Sequence, residues 1–330
     1  MQRIGIIGAG AWGTALAQIL ARAGRTVTIW AHEPETAAAI NRDHANPVFL
    51  PGVALDAAIR ATAALDDAAA ADAVLLVPPA QHLRALAASL RLAPDVPLVI
   101  CAKGIEIASG ALLTEVIADA QPQAPRAVLS GPTFAAEVAR GLPTAVTLAC
   151  ADAAVGARLV AALGSRTFRP YLADDPVGAE IGGAIKNVLA IACGIVIGRG
   201  LGENARAALI TRGLAEMVRL AEAKGGRAAT LMGLSGLGDL TLTCNSAQSR
   251  NFSLGQALGE GRPLAAVLAG RHSVAEGVTS APAAVALAQR VGIEMPITAA
   301  VDAILHRGAA VDAVIEGLLS RPFRAEDPKS

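Results

Sequence analysis

Lys186 stands where a charge costs most. It lies in IGGAIKNVLAIACGIVIG (181–198), a run that is apolar almost throughout apart from Lys186 and Asn187. A buried, unpaired ammonium is expensive, so such a lysine shifts its pKa, finds partners or takes on chemical work. Gly182, Gly183 and Ala190 fall within one helical turn, on or beside the lysine's face. Val188, Leu189, Ile191, Ile195 and Val196 surround the rest of the helix. That spacing predicts a narrow polar stripe lining a cleft, rather than a lysine reaching out to solvent.

A second group of polar residues follows in SGLGDLTLTCNSAQSRNFSLG (235–255), which reads as a loop from its Gly, Ser, Thr and Asn content. It carries Asp239, Thr243, Arg250 and Asn251. An arginine beside an asparagine, with hydroxyls near, suits a phosphate or carboxylate, which the guanidinium binds bidentately. A solvated loop with a helix N-cap accounts for the same residues equally well. Further on, His272-Ser273-Val274-Ala275-Glu276-Gly277 forms another polar loop before a helix.

These residues need a scaffold, and the N-terminal half supplies a recognisable one. RIGII (3–7) reads as a buried strand running into Gly8-Ala9-Gly10-Ala11-Trp12-Gly13, then a helical pattern, then the strand TVTIW. G-x-G-x-x-G in this setting is a dinucleotide fingerprint. Gly8 permits the tight turn, Gly10 lets backbone approach the pyrophosphate, and Gly13 allows close helix–strand packing. The helix N-terminus offers N–H groups and partial positive charge to the phosphates. The second strand ends in Trp30-Ala31-His32-Glu33, with no acidic residue at the ribose position, and His32 could face a 2′-phosphate. The reading therefore leans to NADP(H) over NAD(H).

ADAVLLVPP (71–79) and VPLVICAKG (96–104) look like further parallel strands, and 127–150 continues the strand–helix alternation. The pattern implies an α/β fold, a doubly wound parallel sheet that binds ligands outside the carboxyl ends of its strands. Pro78, Lys103 and Ser130-Gly131-Pro132-Thr133 would gather along that rim. After about residue 176 helical periodicity takes over. The expected division is a Rossmann-type dinucleotide-binding domain over 1–175 and an all-helical substrate domain over 176–330, with a frayed tail AEDPKS.

Composition removes several alternatives. Lys and Arg number 28 and Asp and Glu 28, a net charge of zero that gives no footprint for nucleic acid or an acidic membrane. Cys101, Cys150, Cys193 and Cys244 are scattered without a C-x-x-C pair, and no histidine spacing fits a ligand set, so neither metal nor disulfides are expected. The cysteines fit a reducing cytoplasm. Lys186 in mid-run, flanking Glu180 and Arg199, and four interrupting glycines argue against a membrane span.

GAGAWGTALA, VPPAQHLR, CAKGIE, LSGPTFAAEVARGLPTA, IKNVLAIACGI, GLSGLGDLTLTCNSAQSRNFSLG and VAEGVTSA, in that order, resemble the bacterial NAD(P)-dependent glycerol-3-phosphate dehydrogenases. The resemblance runs over nearly the whole chain, and the segment 234–255 is its most specific part. It implies reversible reduction of dihydroxyacetone phosphate to sn-glycerol 3-phosphate, the precursor of phospholipids, by a cytoplasmic homodimer. It assigns Lys186 as the acid/base residue and places Lys103 and Asp239 in the active centre. Gly131, Thr133, Asn187, Ser249, Arg250 and Asn251 would hold substrate with them. Ala11, Trp12, His32, Phe49, Lys103, Ala135, Arg250, Val274 and Glu276 match cofactor-contact positions. Ala11 stands where serine is frequent, Phe49 where tyrosine is, and His32-Glu33 where a basic or Asp-containing pair is. These departures bear on the choice between NADH and NADPH. Burial and a second cation at Lys103 should lower the pKa of Lys186, while Asp239 orients it. The rival readings are a two-domain hydroxyacid or ketopantoate dehydrogenase and a catalytically silent NAD(P)H-binding regulator.

Overall fold

The computed structural model describes residues 1–269 and 275–323. Val274, His272, Ser273 and the tail from residue 324 lie outside them.

The first half alternates strand and helix. In order come β1 (Arg3–Ile7), α1 (Ala11–Arg22), β2 (Thr26–Trp30), α2 (Pro34–Asp43), β3 (Arg60–Thr62) and α3 (Leu65–Ala69). Then follow β4 (Ala73–Leu76), α4 (Leu83–Ser89), β5 (Leu98–Ile100), α5 (Leu113–Ala120), β6 (Arg126–Ser130) and α6 (Ala135–Ala139). β7 (Thr144–Ala149), α7 (Ala153–Leu163) and β8 (Phe168–Ala173) complete one eight-stranded sheet, ordered β3-β2-β1-β4-β5-β6-β7-β8. Both faces are covered, which explains the continuous apolar strands. Ile4, Ile6, Leu75 and Leu129 point into one core layer, and Ile7, Val74, Leu76 and Val128 into the other.

The expected alternation holds with one reversal. β6 and β7 pair antiparallel, through Leu129 opposite Leu148, whereas β7 and β8 are parallel. The short α6 packs on α1 instead of crossing back over the sheet, so the chain turns and runs the other way. Strand β8, at the sheet edge, was not anticipated from the sequence.

Beyond β8 every described element is helical: α8 (Pro176–Gly198), α9 (Gly202–Ala223), α10 (Ala228–Leu231), α11 (Asp239–Cys244) and α12 (Arg250–Gly259), then α13 (Leu264–Ala269), α14 (Glu276–Arg290), α15 (Pro296–His306) and α16 (Val311–Leu319). The transition is capped: Asp175 accepts from Gly178 N at 2.9 Å and from Arg227 N at 2.9 Å, and Pro176 occupies the first helical turn. Helix α8 is long and apolar enough to cross a membrane, but 89% of its most apolar window is buried inside the protein. It is the core helix of this half, with α9, α11, α12, α14 and α15 packed around it.

Glycines set that packing. A Cβ on Gly194 would lie 2.1 Å from the Phe252 carbonyl oxygen, and one on Gly255 2.0 Å from that of Ile191. Helices α8 and α12 thus meet backbone to backbone. The same effect corrects the reading of 235–255 as a loop. Residues Leu234–Gly238 form a π-type turn leading into α11, and α12 follows. Among the segment's small residues, Gly255 meets α8 at Ile191 and Ser235 meets it at Gly182, whereas Gly236 packs on Leu231 of α10.

Candidate active site

Lys186 and Asn187 are both buried, at 6% and 7% exposure, so the lysine does not reach solvent. Its ammonium donates to Asp239 Oδ1, and to Thr243 Oγ1 at 3.0 Å. Asp239, at 0% exposure, receives Lys103 Nζ on its other oxygen at 2.6 Å. Lys103 also donates to the Gly131 carbonyl at 3.3 Å, which accepts from Thr133 Oγ1 at 3.2 Å. One carboxylate therefore joins two lysines, one from the rim of the sheet and one from α8.

Backbone position explains the meeting. Lys103 follows β5 and Gly131 follows β6, so both stand at the carboxyl ends of parallel strands. Gly183, one turn before Lys186, lets α8 come up to them: a Cβ there would lie 3.0 Å from Ser130 Oγ and 3.3 Å from Lys103 Cγ. Gly182 does the same for the other wall, 2.3 Å from the Ser235 carbonyl oxygen. Among the described residues Ser130 Oγ is buried without a hydrogen-bond partner.

The pKa of Lys186 is lowered to about 8, first by burial; Lys103 lowers it further, while Asp239 acts in the opposite direction. Glu276, at the start of α14, has its carboxyl raised to about 7 by burial, against the pull of Arg250, Lys103 and Lys186. Arg250 opens α12 with an exposed side chain, and Ser249 caps that helix by accepting from Phe252 N at 3.2 Å. Asn251 spends its amide internally: Nδ2 donates to Asn187 Oδ1 at 2.9 Å, and Oδ1 accepts from Gly277 N at 3.0 Å. This Asn187–Asn251–Gly277 chain ties α8, α12 and α14 together beside the lysines.

The glycine-rich turn has the form a pyrophosphate needs. Gly8 has φ +118°, and a Cβ on Gly13 would lie 1.9 Å from the Gly8 carbonyl oxygen. Among the described residues nothing lies within 4 Å of a Cβ built on Gly10, and no side chain caps α1 there, which leaves the first-turn N–H groups for a ligand. These features fit a dinucleotide. Trp12 packs on Phe168 with ring centroids 6.4 Å apart, Ala11 opens α1, and Ala135 opens α6. His32 is exposed beyond the end of β2, its ring edge-on to Trp30 at 5.8 Å.

Two contributors escaped the sequence reading. Asn46, at 1% exposure, donates from Nδ2 to the Ala9 carbonyl and to Thr14 Oγ1, both at 2.8 Å, and accepts from Phe49 N at 3.1 Å. It fastens the Phe49 segment beneath the glycine-rich turn. Thr243, recognised only as a loop hydroxyl, is the second protein partner of Lys186. Only the polar character of either residue was visible in the sequence. Among the described residues no group of three or more His, Cys, Asp or Glu could hold a metal.

Comparison with known proteins places the chain in a family. A family profile described as NAD-dependent glycerol-3-phosphate dehydrogenase N-terminus matches residues 3–156, and its C-terminal counterpart matches residues 175–316. The glycerol-3-phosphate dehydrogenase (NAD(P)+) of Parvibaculum lavamentivorans is 60% identical over 98% of both chains. That of Rhodospirillum rubrum is 63% identical over 99% of this chain and 94% of its own. The crystal structure of glycerol-3-phosphate dehydrogenase from Coxiella burnetii superposes with a TM-score of 0.93 at 40% identity, covering 97% of this chain and 99% of that one. The chain belongs to the NAD-dependent glycerol-3-phosphate dehydrogenase family.

Proposed function

We propose that Lys186 is the proton donor and acceptor in the NAD(P)H-dependent, reversible reduction of dihydroxyacetone phosphate to sn-glycerol 3-phosphate. The observation that carries this reading is the buried Lys186–Asp239–Lys103 cluster at the carboxyl ends of the strands. When bound, the reduced nicotinamide supplies a hydride to C2 of the ketone. As negative charge grows on the C2 oxygen, the Lys186 ammonium gives it a proton; in the oxidative direction neutral Lys186 removes the hydroxyl proton. Of the three ammonium protons, Asp239 Oδ1 and Thr243 Oγ1 take two, which leaves one for substrate. A pKa near 8 makes this lysine a better acid at neutrality than a free one at about 10.4.

Arg250 neutralises the substrate phosphate, and its binding energy, remote from C2, holds the reacting carbon in place. Gly131, Thr133, Lys103 and Ser249 line the same site, while Asn187 and Asn251 hold its walls in register. Gly8, Gly10, Ala11, Trp12 and Gly13 receive the cofactor with Phe49, Ala135 and Glu276. His32 favours the 2′-phosphate of NADPH. The division of labour falls between residues 1–175 and 176–330, and the reading extends to a homodimer in the cytoplasm that serves phospholipid synthesis. A silent binding protein has no use for two lysines held on one buried carboxylate.

The test is loss of reduced-cofactor absorbance with dihydroxyacetone phosphate, running NADPH and NADH side by side, for wild type and Lys186→Ala. Turnover by wild type with at least a 100-fold lower kcat in the variant is expected, in line with the 10²–10⁴ of a lost general acid. Full activity in a folded Lys186→Ala variant would remove the assignment. Size measurement across a range of concentrations tests the dimer.

A further inference from the structure

The segment that follows Lys103 is tied to both halves of the molecule. From α4, Arg84 makes two parallel bonds to the Glu106 carboxylate, each 2.9 Å. Gln81 bridges the Ile105 carbonyl and the Ile107 amide, also at 2.9 Å each. Inside the segment, Ser109 Oγ donates to Glu106 Oε2 at 2.5 Å and Gly110 N to the Glu106 carbonyl at 2.7 Å, and Ile105 pairs with Leu112. From the helical half, Arg290, the last residue of α14, donates Nη1 to the Ser109 carbonyl and Nη2 to the Gly110 carbonyl.

The approach is close. Gly110 has φ +65°, and a Cβ on it would lie 2.6 Å from Arg290 Nη2. A Cβ on Gly104, next to Lys103, would lie 2.7 Å from Ala80 Cβ and 3.7 Å from Ser280 Oγ of α14. Helix α14 thus meets this segment at two levels, and its first turn carries Glu276 and Gly277 into the site.

We propose that residues 104–112 are a clasp that fixes Lys103 across the two halves, with Arg290 as the positioning residue on the helical side. The inference rests on the reading of Lys103 and Lys186 as the lysine pair of the reaction. Arg290 touches no reacting atom. Its planar fork holds two successive carbonyls at once, which a lysine in its place does less well. Releasing them loosens the turn and lets Lys103 withdraw from Asp239.

That withdrawal has a specific signature. Lys186 is faced by Asp239, Thr243 and Cys244 from α11, by Lys103 from the sheet rim and by Glu276 from α14. Arg290 acts on Lys103 through the turn whose Ser109 and Gly110 carbonyls it holds, and Lys103 is the cation that disfavours a charged Lys186. Its loss must move the Lys186 titration upward.

The experiment compares Arg290→Ala, Arg290→Lys and Lys103→Met in the full chain. It measures kcat, the KM for dihydroxyacetone phosphate, cofactor affinity, Tm and the pH dependence of kcat. Arg290→Ala should lower kcat about tenfold, within the roughly 100-fold that a 1 Å misplacement costs. Its pH limb should move upward, as in Lys103→Met, cofactor affinity should stay unchanged, and added guanidinium should recover part of kcat. Arg290→Lys should fall between wild type and Arg290→Ala, and serves alone if the alanine variant does not fold. A lower Tm with an unshifted pH limb would make Arg290 merely structural and overturn the clasp. Lys103→Met with full turnover would instead overturn the reading of the lysine pair.

Discussion

Lys186 of α8 and Asp239 of α11 form an ion pair inside the protein, across 53 residues of sequence. The pair is not closed, because the second carboxylate oxygen belongs to Lys103. Two positive groups thus share one buried negative group. Burial and the neighbouring cation lower the pKa of Lys186 while the carboxylate raises it, and the balance comes out near 8.

The pH dependence of the two directions should therefore mirror each other. Reduction of dihydroxyacetone phosphate needs the ammonium, so its kcat should decline as pH rises through about 8. Oxidation of glycerol 3-phosphate needs the neutral amine and should rise through the same region. Asp239→Asn removes the group that favours the charged form, so both limbs should move to lower pH. Loss of the shared carboxylate also leaves two cations facing each other, and breaking such a buried pair costs about 3–5 kcal/mol, readable as a lower Tm. Profiles flat from pH 7 to 9 in both directions would exclude Lys186 as the proton carrier.

The contact between α8 and α12 predicts an effect on stability with a smaller effect on chemistry. Gly194→Ala places a methyl 2.1 Å from the Phe252 carbonyl oxygen, where only helix separation gives relief. Overpacking of this kind costs about 1–3 kcal/mol. Denaturant unfolding should show that loss, whereas Gly317→Ala on α16, with no described atom within 4 Å of the added methyl and no positive φ, should be neutral or slightly stabilising. Equal losses at the two positions would mean that the helices do not depend on the glycine contact.

What could be read beforehand follows from whether the cause was local. Gly8, Gly10 and Gly13 were legible because each answers a demand of its own turn. Lys186 was legible because a charge in an apolar run contradicts its surroundings. The 235–255 segment was misread because Gly255 and Ser235 answer to α8, far away in sequence, and Gly236 to the backbone of α10, while composition alone makes them a loop. The reversal at β7 left no trace, since a buried strand has the same pattern in either direction. Asn46 was invisible for a related reason: its partners Ala9 and Thr14 lie 37 and 32 residues away.

Asn46 should matter to cofactor binding more than to the chemical step. Its amide satisfies the Ala9 carbonyl inside the glycine-rich turn and holds the Phe49 amide at the same time. Asn46→Ala leaves the Phe49 amide unpaired and the Ala9 carbonyl with Thr14 Oγ1 as its remaining side-chain donor, at about 1–3 kcal/mol for the turn. Cofactor Kd should rise about tenfold or more, while kcat at saturating cofactor stays within about twofold. A lower kcat with unchanged Kd would place Asn46 outside the cofactor site.

Glu180 links the two halves and should make stability depend on pH. It sits on α8, buried at 5% exposure, and accepts from Thr114 N at 2.8 Å and Thr114 Oγ1 at 2.6 Å at the start of α5. Burial outweighs these bonds and raises its carboxyl to about 7 from an ordinary 4.5. An acid whose pKa is higher in the folded state binds its proton more tightly there, so the native state loses stability as pH rises from about 4.5 to about 7. Above that window the full cost of the buried carboxylate is present. Glu180→Gln keeps an acceptor for Thr114 N and removes the charge. The Tm of the variant relative to wild type should therefore climb between pH 4.5 and 7 and then level off. Because Glu216 and Glu276 are also raised by burial and remain in both proteins, the difference between the two curves isolates Glu180. A difference that stays constant across that range would show that Glu180 carries no proton on folding.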